Sequence, residues 1–103
     1  MFAKRMVTKK IKLPILYSKH TPSERRLIRL EYIRLQKGLC YYCKAILTSE
    51  PSADIASKDV NSDLFPEHFF THPIHLHHDH NTDLTIGAVH AHCNAVMWEY
   101  NGK

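Results

Sequence analysis

Two short ligand pairs constrain this chain more than any other feature: Cys40-x2-Cys43 and, across a long intervening stretch, His90-x2-Cys93. A C-x2-C turn presents two thiolates at a separation that a tetrahedral ion accepts, and a second pair of the same spacing completes a set of four soft donors. The chain has three cysteines, which cannot all pair, so a disulfide framework is disfavoured. A thioredoxin-like site is disfavoured too, because Cys40-Tyr41-Tyr42-Cys43 follows a helix signal and no βαβ pattern surrounds it. Seven of the nine histidines fall between His72 and His92, which favours metal. The expectation is structural Zn2+ held by Cys40, Cys43, His90 and Cys93. Two buried free cysteines and an unrelated third would leave the repeated x2 spacing unexplained. At 103 residues and 44% hydrophobic composition, the chain suits one domain with a modest core that gains from such a staple.

Charge is unevenly spread. Residues 1–44 carry twelve of the fourteen Lys and Arg against Glu24 and Glu31, whereas residues 45–103 carry Lys58 and Lys103 against eight acids. A basic half of this kind is the footprint of a phosphate-backbone binder, although a solvated basic face is the plainer alternative. The N-terminal charges are followed by no apolar segment, and no run approaches the about 20 apolar residues of a membrane span. A cytoplasmic protein with no membrane partner is expected.

Residues 1–20 read as a basic arm or edge strand, in which Ile11, Leu13, Ile15 and Tyr17 alternate and Pro14 interrupts. Thr21-Pro22-Ser23-Glu24 supplies an N-cap, a first-position proline and a capping box, so a helix is expected within 21–37, running to about Gln36 and ended by Gly38. On that helix Ile28, Tyr32 and Leu35 form the expected core stripe, and Arg25, Arg26, Arg29 and Lys37 cluster on another face. Residues 39–47 read as a knuckle around the cysteines, and 49–71 as a surface insertion without sustained periodicity. A strand follows from Pro73 to near His78, then a turn at Asn81–Asp83, a second strand over Leu84–Val89, and a helix from Ala91 to about Tyr100 ended by Asn101-Gly102.

His75-Leu76-His77-His78-Asp79-His80-Asn81-Thr82, followed by Gly87-Ala88-Val89-His90-Ala91-His92-Cys93-Asn94, resembles the HNH nucleases, closest to their endonuclease VII branch, over roughly residues 39–98. The resemblance implies a small α+β fold: a zinc-stapled ββα-metal unit over 73–101, within a domain spanning 21–103, preceded by the basic arm and helix. It implies His78 as general base, His80 as the histidine that contacts the scissile phosphate, and His77 and Asn94 as ligands of a catalytic divalent ion, Mg2+ or Mn2+. His77 stands where the branch has an aspartate. Cys40, Cys43 and Cys93 match its zinc ligands, with His90 in place of a fourth cysteine, and three-cysteine, one-histidine zinc sites are common. The branch's Arg-Gly is replaced by Ile86-Gly87-Ala88-Val89. The middle residue of the HNH triad has three candidates: Asp79, Asn81 and Asp83.

The chemistry also stands on elementary grounds. Phosphodiester hydrolysis needs an activated water and stabilisation of charge on the phosphate and the leaving oxygen. A neutral imidazole of pKa near 6.5 can take the proton of water, and a sparsely ligated divalent ion leaves positions open to substrate. Adjacent strand residues face opposite ways, so His77 and His78 can share a site only at a strand end or bulge. The expected function is metal-dependent cleavage of DNA, with Lys4, Arg5, Lys9, Lys10, Lys12, Arg25, Arg26 and Arg29 on its phosphates; the rival is a zinc-finger-like nucleic-acid-binding module without catalysis. His20, His68 and His72 are expected at the surface, while His75 is either a partner behind the metal ligands or an ordinary strand residue. His92 could substitute for His90. Met97 and Trp98 are expected in the core, and Tyr41 and Tyr42 around the knuckle.

Overall fold

The computed structural model describes residues 12–102 as a small α+β structure. Helix α1 spans Pro22–Leu35, the one-turn α2 spans Ala53–Ala56, strands β1 (Ile74–His78) and β2 (Thr85–His90) pair antiparallel, and α3 spans Ala91–Asn101. The capping box at α1 is complete: the Thr21 hydroxyl accepts from the Glu24 N–H and the Glu24 carboxylate accepts from the Thr21 N–H. Gly102 ends α3 with φ of 71°, in the left-handed region that glycine adopts without strain.

Both sides of the hairpin are covered. Ile28 and Tyr32 of α1, Leu47 of the knuckle, Leu76, Ala88 and Val89 of the sheet, and Cys93 and Met97 of α3 form the core. Leu35, expected in that core, is 54% exposed. The next residue explains why: Gln36 turns to β2 and satisfies both backbone groups of Ala88, its Oε1 accepting from the Ala88 N–H at 2.8 Å and its Nε2 donating to the Ala88 carbonyl at 2.9 Å. Leu27 and Leu30 are also exposed, and Ile33 packs against the core instead. Leu13, Ile15 and Tyr17, placed in the arm by sequence, pack on the core as well. Ile15 exchanges hydrogen bonds with Thr85, and the Tyr17 N–H donates to the Asp83 carbonyl at 2.7 Å. This edge pairing brings Tyr17 to the turn end of the hairpin.

Gly87 sits under this lock. A Cβ there would lie 2.7 Å from Gln36 Oε1 and 3.0 Å from Tyr41 Cβ. Gly87→Ala is therefore expected to destabilise the fold by about 1–3 kcal/mol, the usual cost of overpacking, read as a lower thermal midpoint at unchanged zinc content. An unchanged midpoint would mean that the Gln36 lock is not needed.

Candidate functional site

Four side chains from three places converge beside the core. The ligand atoms of Cys40, Cys43, His90 and Cys93 all lie within 4.8 Å of one another, against edges of about 3.8 Å for a tetrahedron with zinc–sulfur bonds of about 2.3 Å. The tight turn at 40–43 aims its own backbone at the sulfur: the N–H groups of Tyr42 and Cys43 donate to Cys40 Sγ at 3.3 and 3.4 Å, and the Ser52 N–H donates to Cys43 Sγ at 3.5 Å. Such donors favour thiolates. A hydrogen bond from the Cys93 thiol, with backbone donors at the turn, draws the Cys40 pKa down to about 4, and that same bond followed by burial pushes the Cys93 pKa up, so the two sulfurs share one proton. A divalent ion bound here would release it.

The histidine is already in the ligating tautomer. His90 Nε2 lies 2.9 Å from the Ile46 carbonyl, which can only accept, so Nε2 carries the hydrogen and Nδ1 presents its lone pair. Nδ1 faces Cys43 Sγ at 3.4 Å and Cys93 Sγ at 3.6 Å. His92 instead points to the Ile55 carbonyl at 3.0 Å, tying α3 to α2, which leaves His90 in the cluster. By donor type, protonation and geometry, this group could hold zinc.

A separate open cleft is bordered by Arg25 and Arg29 of α1, His75, His77 and His78 of β1, His80 of the turn, and Asn94 and Trp98 of α3. The adjacent histidines reach it at the end of β1, opposite a bulge in β2. His77 pairs with Gly87 but His78 pairs with Thr85, so Ile86 is an extra residue on β2. The register shifts between the two histidines, and both residues border one cleft. Asn94 comes from the residue after Cys93, so the cysteine's anchorage at the metal cluster also sets the amide's position.

Burial, followed by the nearby His80, lowers the pKa of His77, and burial with His80, His77 and Arg25 lowers that of His78. Asp83 opposes this at His78, and Asn94 and Asp79 oppose it at His77. Both rings are therefore neutral at pH 7. Of the three candidates for the triad's middle position, Asp79 caps the turn by accepting from the Asn81 and Thr82 N–H groups. Asp83 accepts from Ser18 through both its backbone N–H and its hydroxyl, and it is the carboxylate whose charge acts on His78.

The rings near His78 form a column that sequence reading missed. Tyr17 stacks on His78 with centroids 3.8 Å apart and planes within 10°, and His80 lies 4.3 Å from His78 at 26°. The Arg25 guanidinium lies 4.5 Å from the Tyr17 ring centre, and Trp98 meets His80 edge-on at 4.4 Å. Trp98, expected in the core, borders the cleft; Met97, its neighbour, takes the buried position. The alternation of Tyr17 with Ile15 and Leu13 marked an arm or edge strand, but not that the segment would end against His78.

Of the cations expected on DNA, four are among the described residues. Arg25 and Arg29 border the cleft, and Arg25 also donates to the Tyr17 and His20 carbonyls. Arg26 and Lys12 are exposed and do not border it. Lys4, Arg5, Lys9 and Lys10 lie outside the described residues. Among the described residues no helix is long and apolar enough to cross a membrane. Comparison with family models, curated proteins and solved structures finds no match to this chain.

Proposed function

We propose that this protein is a metal-dependent DNA endonuclease of the HNH type, in which a zinc-stapled ββα-metal unit hydrolyses phosphodiester bonds. The observation that carries the reading is that the adjacent His77 and His78 border one cleft with Asn94, at a register shift that ends β1. A binding module has no use for a neutral imidazole pair facing an amide oxygen. A hydrolase does.

In this reading His78 is the general base: its neutral ring takes a proton from water as that water attacks phosphorus. Tyr17 and His80 hold the ring between them, which limits its rotation and keeps a nitrogen facing the cleft. His80, at the cleft's open side, donates a hydrogen bond to the scissile phosphate. His77 and Asn94 would hold Mg2+ or Mn2+, which when bound supplies Lewis-acid stabilisation of the phosphate and the leaving 3′-oxygen. Arg29 and Arg25, on the opposite wall, face the neighbouring phosphates. The donor set fits such an ion, because an amide oxygen and one imidazole leave most of an octahedron to water and substrate.

Supercoiled plasmid incubated with zinc-loaded protein should be nicked or linearised when Mg2+ or Mn2+ is added, and left intact without either. Binding without cleavage would replace this reading with that of a zinc-finger-like binder. A pH profile adds a second check. With its pKa lowered by burial, His78 stays neutral to below the ordinary histidine value of about 6.5. A cation at His77 would act in the same direction. Cleavage should therefore hold constant from about pH 8 to 6.5 and fall only at lower pH, as the base gains its proton. A fall beginning above pH 7 would contradict the assignment.

A further inference from the structure

His75, one strand position from the pair just discussed, makes two hydrogen bonds that together fix the orientation of Asn94. Its Nε2 lies 2.8 Å from the Phe69 carbonyl oxygen, which can only accept, so Nε2 carries the hydrogen and donates. The group set against Nδ1 is an amide nitrogen, which can only donate, so Nδ1 presents its lone pair. That lone pair faces the Asn94 side-chain nitrogen at 3.0 Å. The contact is favourable only with Nδ2 donating; the flipped amide would set Oδ1 against Nδ1, acceptor against acceptor. Asn94 is thus held with its nitrogen on His75 and its oxygen turned away.

The oxygen so turned has no hydrogen-bond partner among the described residues, in a residue that is 9% exposed. Asn94 and His77 border the same cleft. Buried acceptors are ordinarily satisfied, and an unpartnered amide oxygen in a residue that borders the cleft has the donor chemistry of a hard-cation ligand. We infer that His75 is a positioning residue: the relay from the Phe69 carbonyl through His75 to Asn94 holds the amide oxygen towards a hard divalent cation seated between Asn94 and His77. This inference rests on the reading of that pair as cation ligands. It gives the stretch around Phe69 a task, since its carbonyl sets the tautomer that sets the amide. It also makes the site selective, because a fixed oxygen suits oxygen-preferring ions such as Mn2+ and Mg2+.

The test is Mn2+ affinity by calorimetry on zinc-loaded protein without DNA, in a two-by-two set. His75→Phe keeps the ring's shape and its packing on Phe69 but offers no acceptor. It should weaken Mn2+ binding by about 10–100-fold, the loss usual for an outer partner of a metal ligand, at unchanged zinc content. Asn94→Asp presents an oxygen either way round and has no need of His75, so adding His75→Phe to it should leave Mn2+ affinity unchanged. A merely structural role would cost the same in both backgrounds, and that result overturns the inference. Equal Mn2+ affinity in wild type and His75→Phe overturns it as well, while sparing the cation site. Failure of the wild type to bind Mn2+ removes the cation site and the inference together. If His75→Phe does not fold, His75→Leu, which also lacks an acceptor, takes its place in the set.

Discussion

Cys43→Ser should give a chain that holds no stoichiometric zinc and shows no cooperative thermal transition. Zinc binding in small modules is coupled to folding with an apparent free energy of about 10–16 kcal/mol, which matches or exceeds the about 5–15 kcal/mol that stabilises a whole domain. The core here is small, and two of its most deeply buried residues, Cys40 and Cys93, are themselves members of the cluster. Losing one thiolate therefore breaks the packing of α3 against the hairpin and knuckle as well as the metal site. His90→Cys is the control: a fourth thiolate replaces the imidazole, zinc stays bound at about one per chain, and the transition persists. Elemental analysis and circular dichroism on the three proteins decide the matter. A Cys43→Ser protein that is zinc-free and melts cooperatively near the wild-type midpoint would contradict the structural role.

The metal cluster was legible in sequence because ligand chemistry leaves few options. Thiolates two residues apart occur for a short list of reasons, and the repeated spacing at His90 and Cys93 narrowed it further. The choice of His90 over His92 followed from the same spacing, and the structure gives its physical basis in the Ile46 carbonyl that sets the tautomer. The α1 start was equally legible, since a capping box and a first-turn proline act within four residues. A shared cleft for His77 and His78 was expected only if a bulge or strand end intervened, and the register shift supplies it.

What escaped depends on contacts distant in sequence. Tyr17 meets His78 because an edge segment pairs with the start of β2, and no local pattern encodes that pairing. Leu35 has the right helical phase for the core but loses its place to Gln36, whose amide substitutes for a missing strand partner of Ala88. Trp98 has the size and apolarity of a core residue, yet α3 turns it to the cleft and buries Met97. The segment 49–71 carried no period because it is built from the short α2 and isolated turns, and what it gives the sites is backbone groups, the Ser52 N–H and the Ile55 and Phe69 carbonyls, which sequence does not mark.

The central claim is that the cleft organised by zinc carries out hydrolysis with His78 as base, and single-turnover cleavage by wild type and His78→Ala tests it most directly. His78 is joined to its neighbours by ring stacking, is absent from the metal cluster, and is half-buried, so its removal should leave zinc content unchanged and DNA affinity nearly so. The base acts in the chemical step alone, so the loss should fall on the cleavage rate, by about 10²–10⁴-fold. The account predicts a His78→Ala protein that carries one zinc, binds the same duplex with near wild-type affinity, and leaves it uncut in Mg2+ over times in which the wild type cuts it completely. Cleavage by His78→Ala at near the wild-type rate would contradict it.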